Sequence, residues 1–149
     1  MIRQLVFVSL LISTQVLAAG SGRYESSSDK SPLAKVEKLV AQEDYIAAST
    51  WLQSYLQSSK GRRSADAWNL LGFSQRKLGQ YSQALYAYQQ ALSIKPSHLG
   101  ALEYSGELYL SMQQPQRAQQ NLQRLEQYCG DCEEKLQLTL AINRYVAEN

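Results

Sequence analysis

The two cysteines near the end of the chain form the one local motif whose residue types and spacing indicate a specific chemistry. Cys129 and Cys132 are the only cysteines among the 149 residues, and two residues separate them. Residues i and i+3 of a turn lie within about 7 Å of each other, and a disulfide needs Cα atoms about 4.4–6.8 Å apart. In an oxidising compartment, the pair therefore predicts a structural disulfide.

Two other chemistries stay open for this pair. A redox-active Cys-x-x-Cys motif has a thiolate stabilised at a helix N-terminus, although the βαβ pattern of thioredoxin-like proteins is missing from this sequence. A zinc site would be half built, because two thiolates without a nearby histidine supply two of four ligands. Haem attachment needs a histidine after the second cysteine, and Glu133 stands there. Our prediction is the structural disulfide, with no metal and no cofactor.

The residues around the cysteines predict the end of one helix and the start of another. Gly130 suits the left-handed conformation that ends many helices. Asp131 suits an N-cap, with Glu134 three residues later as its capping-box partner. We expect Cys129 to end one helix and Cys132 to begin the next, so that a disulfide fixes the angle between them.

The rest of the sequence offers little to an enzyme. It has one histidine, His98, which we interpret as a surface or capping residue, and it lacks the common phosphate-binding, zinc-protease and nucleophile-elbow motifs. Glu103 and Glu107 lie one helical turn apart, which suits a paired-carboxylate site but also a solvated acidic wall, and we favour the wall. Fifteen Lys and Arg against thirteen Asp and Glu leave no basic excess for nucleic acid.

A period of about 34 residues organises the middle of the chain. Residues 68–72 (WNLLG) align with residues 102–106 (LEYSG), and the same offset relates Ala84 to Ala118 and Tyr88 to Leu122. A fainter copy lies 36 residues earlier, with its two extra residues in a loop at 58–63. Repetition at this period is typical of stacked helix pairs.

Residues 65–98 resemble a tetratricopeptide repeat, whose pattern is W-x2-L-G-x2-Y, then A-x3-F, then P. The matching residues are Trp68, Leu71, Gly72, Ala84, Tyr88 and Pro96, and Gln75 stands where the pattern has tyrosine. A second copy at about 99–132 keeps Gly106, Tyr109 and Ala118, and a copy at about 32–64 is degenerate. The resemblance implies an all-α fold, a right-handed α-solenoid of about three helix pairs.

The hydrophobic pattern places the helices of this solenoid. Ala65–Leu78 and Tyr81–Ile94 form one pair across a Gly79-Gln80 turn, and Gly72 would let the second helix approach opposite Ala84. Residues 133–147 predict a capping helix with a polar outer face. Its expected apolar side consists of Leu136, Leu138, Leu140, Ala141 and Tyr145. Three pairs and this cap make seven helices.

The start of the chain predicts export. Residues 1–18 combine a charged start, an apolar run too short to span a membrane and small residues before a cleavage site after Ala18, as in a signal peptide. Residues 19–31 (AGSGRYESSSDKS) predict a flexible leader, and residues 32–149 the repeat domain. We expect a secreted protein, most typical of the bacterial periplasm.

The resemblance also implies a function. Solenoids present a concave groove, and in tetratricopeptide domains the first helix of each pair lines it and holds a peptide or helix of another protein. The candidate groove residues are Asp66, Asn69, Phe73, Arg76, Lys77, Glu103, Glu107 and Leu110.

Three of these residues have alternative interpretations. Phe73 is the candidate binding anchor, since aromatic side chains dominate interface energies, but packing on a neighbouring repeat is an equal alternative. Arg76 and Lys77 suit acidic ligands, and also a solvated helix end.

We predict a non-enzymatic scaffold or adaptor of the cell envelope that binds another protein. Neither nucleic acid nor stable membrane insertion is expected. The alternative is a periplasmic thiol-redox or metal-handling protein acting through Cys129 and Cys132.

Overall fold

The computed structural model describes residues 31–148, and this part of the chain forms eight helices and no β-strand. The helices are α1 (Ala34–Ala41), α2 (Tyr45–Tyr55), α3 (Ser59–Arg62), α4 (Ala65–Lys77), α5 (Tyr81–Ile94), α6 (Leu99–Ser111), α7 (Pro115–Cys129) and α8 (Glu133–Glu148). The predicted signal peptide, and all of the leader except Ser31, lie outside the described residues.

The helices stack in pairs. α1 packs on α2, α4 on α5 and α6 on α7, while α2 contacts α4 and α5 contacts α6, which joins successive pairs. α8 packs on both α6 and α7. The expected fold class, an all-α solenoid of helix pairs, is confirmed. Each amphipathic helix pair buries one face against the next pair. The core therefore consists of three clusters along the stack, which half-buried Trp68 and Leu92 connect.

The turn inside each pair repeats along the chain. Glu43, Gly79 and Gln113 all have left-handed backbone conformations, with φ of 59°, 73° and 58°. These positions are 36 and 34 residues apart, the same offsets that relate the repeats. A left-handed residue after a helix redirects the chain into the next helix, and glycine adopts it without steric cost. The first and third pairs therefore keep the same turn geometry, although Glu43 and Gln113 stand there in place of glycine.

One additional helix separates the first two pairs. The predicted loop at 58–63 contains α3, a single turn that Ser58 caps by accepting a hydrogen bond from the Gly61 backbone nitrogen at 2.9 Å. Gly61 is buried against the backbone of Tyr55, where a Cβ atom has no room. The expectation of seven helices was wrong because α3 is an additional one. Composition indicated a loop here, but the Ser58 cap and the close contact of Gly61 form a helical turn.

Gly72 allows α4 and α5 to approach each other, but its neighbour differs from the expected Ala84. A Cβ atom at Gly72 would lie 2.6 Å from Cε1 of Tyr88, whose side chain is fully buried. Gly106, the equivalent glycine one repeat later, is instead packed against Leu138 of α8. The absence of a side chain at Gly72 thus makes room for the large ring of Tyr88 and not, as expected, for the small Ala84.

The outer face of α8 also differs from expectation. Leu138 and Ile142 are buried, whereas Leu136 and Leu140 are 55% and 47% exposed. The two exposed leucines lie on the side of the helix opposite Leu138, away from α6 and α7. The predicted apolar side was therefore wrong at Leu136 and Leu140, and the outer face is not uniformly polar.

A methyl group at Gly72 tests the close packing of α4 and α5. Alanine favours a helix by about 1 kcal/mol over glycine, but here its Cβ would overlap a ring that cannot move. We expect Gly72→Ala to lower the free energy of unfolding by about 1–3 kcal/mol in urea titrations. Gly100→Ala is the control, because its Cβ would lie 3.3 Å from the side-chain nitrogen of Asn69, and a smaller effect is expected. An unchanged or raised stability of Gly72→Ala would contradict the packing described above.

Candidate binding groove

The first helices of successive pairs lie side by side, since α4 contacts α6 and α6 contacts α8. Their shared surface is the candidate binding site, which we call the groove face. It consists of Asn69, Phe73, Arg76 and Lys77 on α4, Glu103, Tyr104 and Glu107 on α6, and Glu133 and Glu134 at the start of α8. Seven of the eight predicted groove residues lie on this face or at its edge, where Asp66 stands in the first turn of α4.

An aromatic contact crosses the groove face. The half-buried ring of Phe73 lies 5.0 Å from the ring of Tyr104 and 6.0 Å from that of Tyr45, measured between centroids. Phe73 therefore packs on both neighbouring repeats, which is the second of its two predicted roles, while part of its ring stays accessible. Tyr45 and Tyr104 were not predicted as site residues, because neither occupies a position that defines the repeat pattern.

An ion pair joins the same two helices. Arg76 Nη1 lies 2.8 Å from Glu107 Oε2, and the guanidinium lies 5.7 Å from the ring centroids of both Phe73 and Tyr104. Burial lowers the pKa of Arg76, but Tyr88 and Glu107 outweigh it, so the net pKa is raised. Arg76 is thus fixed between the repeats and is not a free helix end. Lys77 is exposed, and its Nζ lies 5.4 Å from the Phe73 centroid.

A histidine ties the edge of the face to the start of α6. His98 Nδ1 accepts a hydrogen bond from the Ala101 backbone nitrogen at 3.1 Å, which confirms His98 as a capping residue. Because Nδ1 accepts, the proton belongs on Nε2, which donates to Asp66 Oδ1 at 3.0 Å. This hydrogen bond is the main cause of the lowered pKa of Asp66. The Asp66–His98 contact therefore links α4 to α6.

Three of the predicted groove residues are buried. Leu110 lies in the core between α6, α7 and α8, and it offers no surface to a ligand because α8 packs over this end of α6. Asn69 is 1% exposed, and its Oδ1 has no hydrogen-bond donor within residues 31–148. Glu103 is 8% exposed. Of the predicted set, Asp66, Phe73, Arg76, Lys77 and Glu107 keep accessible surface.

Among the acids of the groove face, Glu103 has the most strongly shifted pKa. Burial, together with the nearby carboxylates of Glu107 and Glu134, raises its pKa to about 8 against the opposing charge of Arg76. The predicted acidic wall is thus a partly neutral one at pH 7. The spacing of Glu103 and Glu107 revealed two acids on one helix face, but the burial of one of them depends on how α8 packs.

The cysteine turn lies where α7 meets α8. α7 ends at Cys129, as predicted, and Gly130 has a positive φ of 64°, but its ψ of −90° differs from the expected left-handed helical cap. The Sγ atoms of Cys129 and Cys132 lie at disulfide distance, with their Cα atoms 5.8 Å apart. Among the residues described, no three His, Cys, Asp or Glu side chains are grouped as a metal site would require.

The predicted N-cap at Asp131 was wrong. The backbone oxygen of Cys132 accepts the first hydrogen bond of α8, from the Leu136 nitrogen at 3.2 Å, so Cys132 stands at the N-cap and the helix begins at Glu133, the predicted first residue. Asp131 Oδ1 instead pairs with Lys135 Nζ at 3.0 Å.

A separate cleft lies outside the groove face and the cysteine turn. It has a volume of about 380 Å³ between α2, α4 and α5, and its apolar lining includes Trp68, Leu71 and Tyr86. Gln75, which replaces the tyrosine of the repeat pattern, also lines it and has a buried Oε1 without a hydrogen-bond donor in the part of the chain described.

The stack of helix pairs and its groove face define a helical-repeat protein. Residues 65–98 match the family model of the tetratricopeptide repeat, a segment that covers α4, α5 and the turn into α6. Together with the all-helical fold, this match supports a tetratricopeptide repeat protein, a class whose repeats generally mediate protein–protein interaction and are typically non-enzymatic. No curated protein matches the chain. Within residues 31–148, no helix is both long and apolar enough to cross a membrane.

The raised pKa of Glu103 predicts a pH-dependent stability. The folded state keeps a proton on Glu103 that the unfolded state, with a pKa near 4.5, has lost, so stability should fall as the pH rises from about 4.5 to about 8. Glu103→Gln should match the wild type near pH 5 and exceed its free energy of unfolding by at least about 1 kcal/mol at pH 9, since one pKa unit corresponds to 1.36 kcal/mol.

Urea unfolding at the two pH values measures this difference. Glu126→Gln, the same change at an exposed position of α7, is the matched control and should show equal effects at both pH values. An equal effect of Glu103→Gln at pH 5 and pH 9 would show that burial does not hold the proton on this carboxyl group.

Proposed function

We propose that this protein is a non-enzymatic scaffold or adaptor of the cell envelope, which binds a peptide or helix of another protein on its groove face. The observation that carries the proposal is the cross-repeat cluster of Phe73, Tyr104, Arg76 and Glu107, which keeps accessible surface on the first helices of two repeats. Aromatic and arginine side chains are the residues most enriched among those that dominate interface energies.

The cluster favours binding because it is already ordered. Arg76 is held by Glu107 at 2.8 Å and by two aromatic rings, so little side-chain entropy is lost when a ligand contacts it. Lys77 adds an exposed ammonium beside Phe73, and Asp66 adds a carboxylate at the opposite end of α4. A ligand lying along α4 would therefore meet an anionic end, an aromatic centre and a cationic end.

We place the protein in an exported compartment, most typical of the bacterial periplasm. The pattern of residues 1–18 supports this proposal, and so does the approach of the two cysteine sulfurs to disulfide distance. In that compartment the disulfide would fix the angle between α7 and α8. It would thereby hold Glu133 and Glu134 at the border of the groove face.

Site-directed photo-crosslinking in cells tests where a partner binds. A photoreactive phenylalanine analogue at Lys77, on the groove face, should form a discrete adduct with another protein. The same analogue at Gln89, exposed on the second helix α5, is the matched control and should not. Arg76→Gln should then reduce the Lys77 adduct, because it removes the charge that orders the cluster. Adducts of equal yield at both positions, or at Gln89 alone, would place the binding surface elsewhere.

The cysteines give a separate test. The exported protein, isolated without reductant, should have an intact mass two hydrogens below that of the reduced chain. Cys129→Ser, Cys132→Ser and the double variant should each lose about 2 kcal/mol of stability, the chain-entropy estimate for so short a loop. The three losses should be equal, since one bond is removed in every case. A reduced pair, a bound metal or a mixed disulfide would instead indicate thiol or metal chemistry.

A further inference from the structure

Glu103 is a buried acid without a partner. It is 8% exposed, and it makes no hydrogen bond or ion pair with any residue of the described chain. Its neighbour Glu107, one helical turn away, pairs with Arg76 at 2.8 Å. Buried polar groups in folded proteins almost always have a hydrogen-bond partner, and a buried charge without one is costly. The oxygens of this recessed carboxyl group are not fully enclosed, so a ligand can reach them, and no donor of residues 31–148 occupies them.

The surroundings of Glu103 are anionic. The charged groups that act on it are Glu107 from its own helix, Glu133 and Glu134 from α8, and Arg76 from α4. The one cation among them is already engaged by Glu107. A ligand that complements this part of the groove face must therefore bring a positive charge.

An unsatisfied buried acceptor occupies the equivalent position of the preceding repeat. Asn69 lies 34 residues before Glu103, and both residues are on the first helix of their pair. Asn69 is 1% exposed, and its Oδ1 has no donor within residues 31–148. Consecutive repeats thus carry, at the same position, a side-chain oxygen that no donor of residues 31–148 contacts. It is fully enclosed in Asn69 and recessed but accessible in Glu103.

We propose that Glu103 forms the floor of a subsite on the groove face that takes a cationic side chain of the bound protein, with arginine fitting best. This inference rests on the proposed function, because it specifies what the bound segment must carry. Arginine fits better than lysine because its planar group presents five donors to the available acceptors, and because it pairs with a carboxylate through two parallel hydrogen bonds.

The chemistry of the subsite couples binding to proton release. Without a ligand, burial and three neighbouring carboxylates keep Glu103 protonated near neutral pH, and its pKa is about 8. A guanidinium beside it favours the ionised form, so the proton leaves to solvent as the ion pair forms. Affinity should consequently rise with pH from about 6 to about 9, which is opposite to the effect of pH on the stability of the free protein.

A single-residue probe tests the subsite directly. N-acetyl-arginine methylamide carries the guanidinium without other charges, and N-acetyl-citrulline methylamide has nearly the same shape without the charge. The carboxyl carbon of Glu103 is followed by NMR in the full-length protein as the pH is varied, with and without each compound at equal ionic strength. We expect the arginine compound to lower the pKa of Glu103 by at least about one unit, equivalent to ten-fold tighter binding to the ionised form. The citrulline compound should leave the pKa unchanged.

Two variants separate this subsite from general electrostatic attraction. Glu103→Gln should reduce binding of the arginine compound at pH 9 at least about five-fold, whereas Glu126→Gln should not alter it. Identical titration curves with the two compounds, or equal binding by wild type and Glu103→Gln, would overturn the proposal.

The experiments distinguish a failure of the cationic subsite from a failure of the proposed groove binding. If the Lys77 crosslink to a partner persists unchanged in Glu103→Gln, groove binding stands and the cationic subsite is wrong. If the arginine compound lowers the pKa of Glu103 but no crosslink forms at Lys77, the subsite stands and the site of protein binding must be revised.

Discussion

The packing of Tyr88 is the contact on which both the stack and the site depend. Its fully buried ring fills the space that Gly72 leaves on α4, and it lies 6.5 Å from the ring of Tyr104 on α6. Tyr88 thus touches both helices that form the centre of the groove face. Burial raises its pKa despite the opposing charge of Arg76, so the phenol stays neutral beside the guanidinium. The position of Arg76 is consequently set by the core as much as by Glu107.

This arrangement connects repeat packing with binding. A helix pair buries only one face, so its remaining apolar surface has to be covered by the next pair. In this protein the contact between the second and third pairs continues from the core residue Tyr88 through Tyr104 to Phe73 at the surface. The surface end of that series is accessible but not free to move. A ligand therefore meets side chains whose conformations the fold has already selected.

The sequence was sufficient for the repeat but not for the burial of individual side chains. Trp68, Gly72 and Tyr88 predict the helix pair because their types and spacing follow from packing within one repeat, and the left-handed turn at Gly79 follows from its glycine. Leu110, Leu136 and Leu140 were misassigned because the rotation and position of α8 decide which of its sides faces the core. That information comes from contacts between α6, α7 and α8, which no single-helix pattern contains.

The burial of the polar residues on the groove face could not be predicted from the sequence either. The repeat positions indicate that Asn69 and Glu103 face the groove, but only the packed structure shows that both residues are buried and that the Oδ1 atom of Asn69 has no donor within residues 31–148. Local rules of polar satisfaction are usually broken where function requires it. Glu107 shows that this face can satisfy a carboxylate with its own arginine. One helical turn away, Glu103 has no such partner, and this difference between the two acids is the reason for proposing a cationic subsite there.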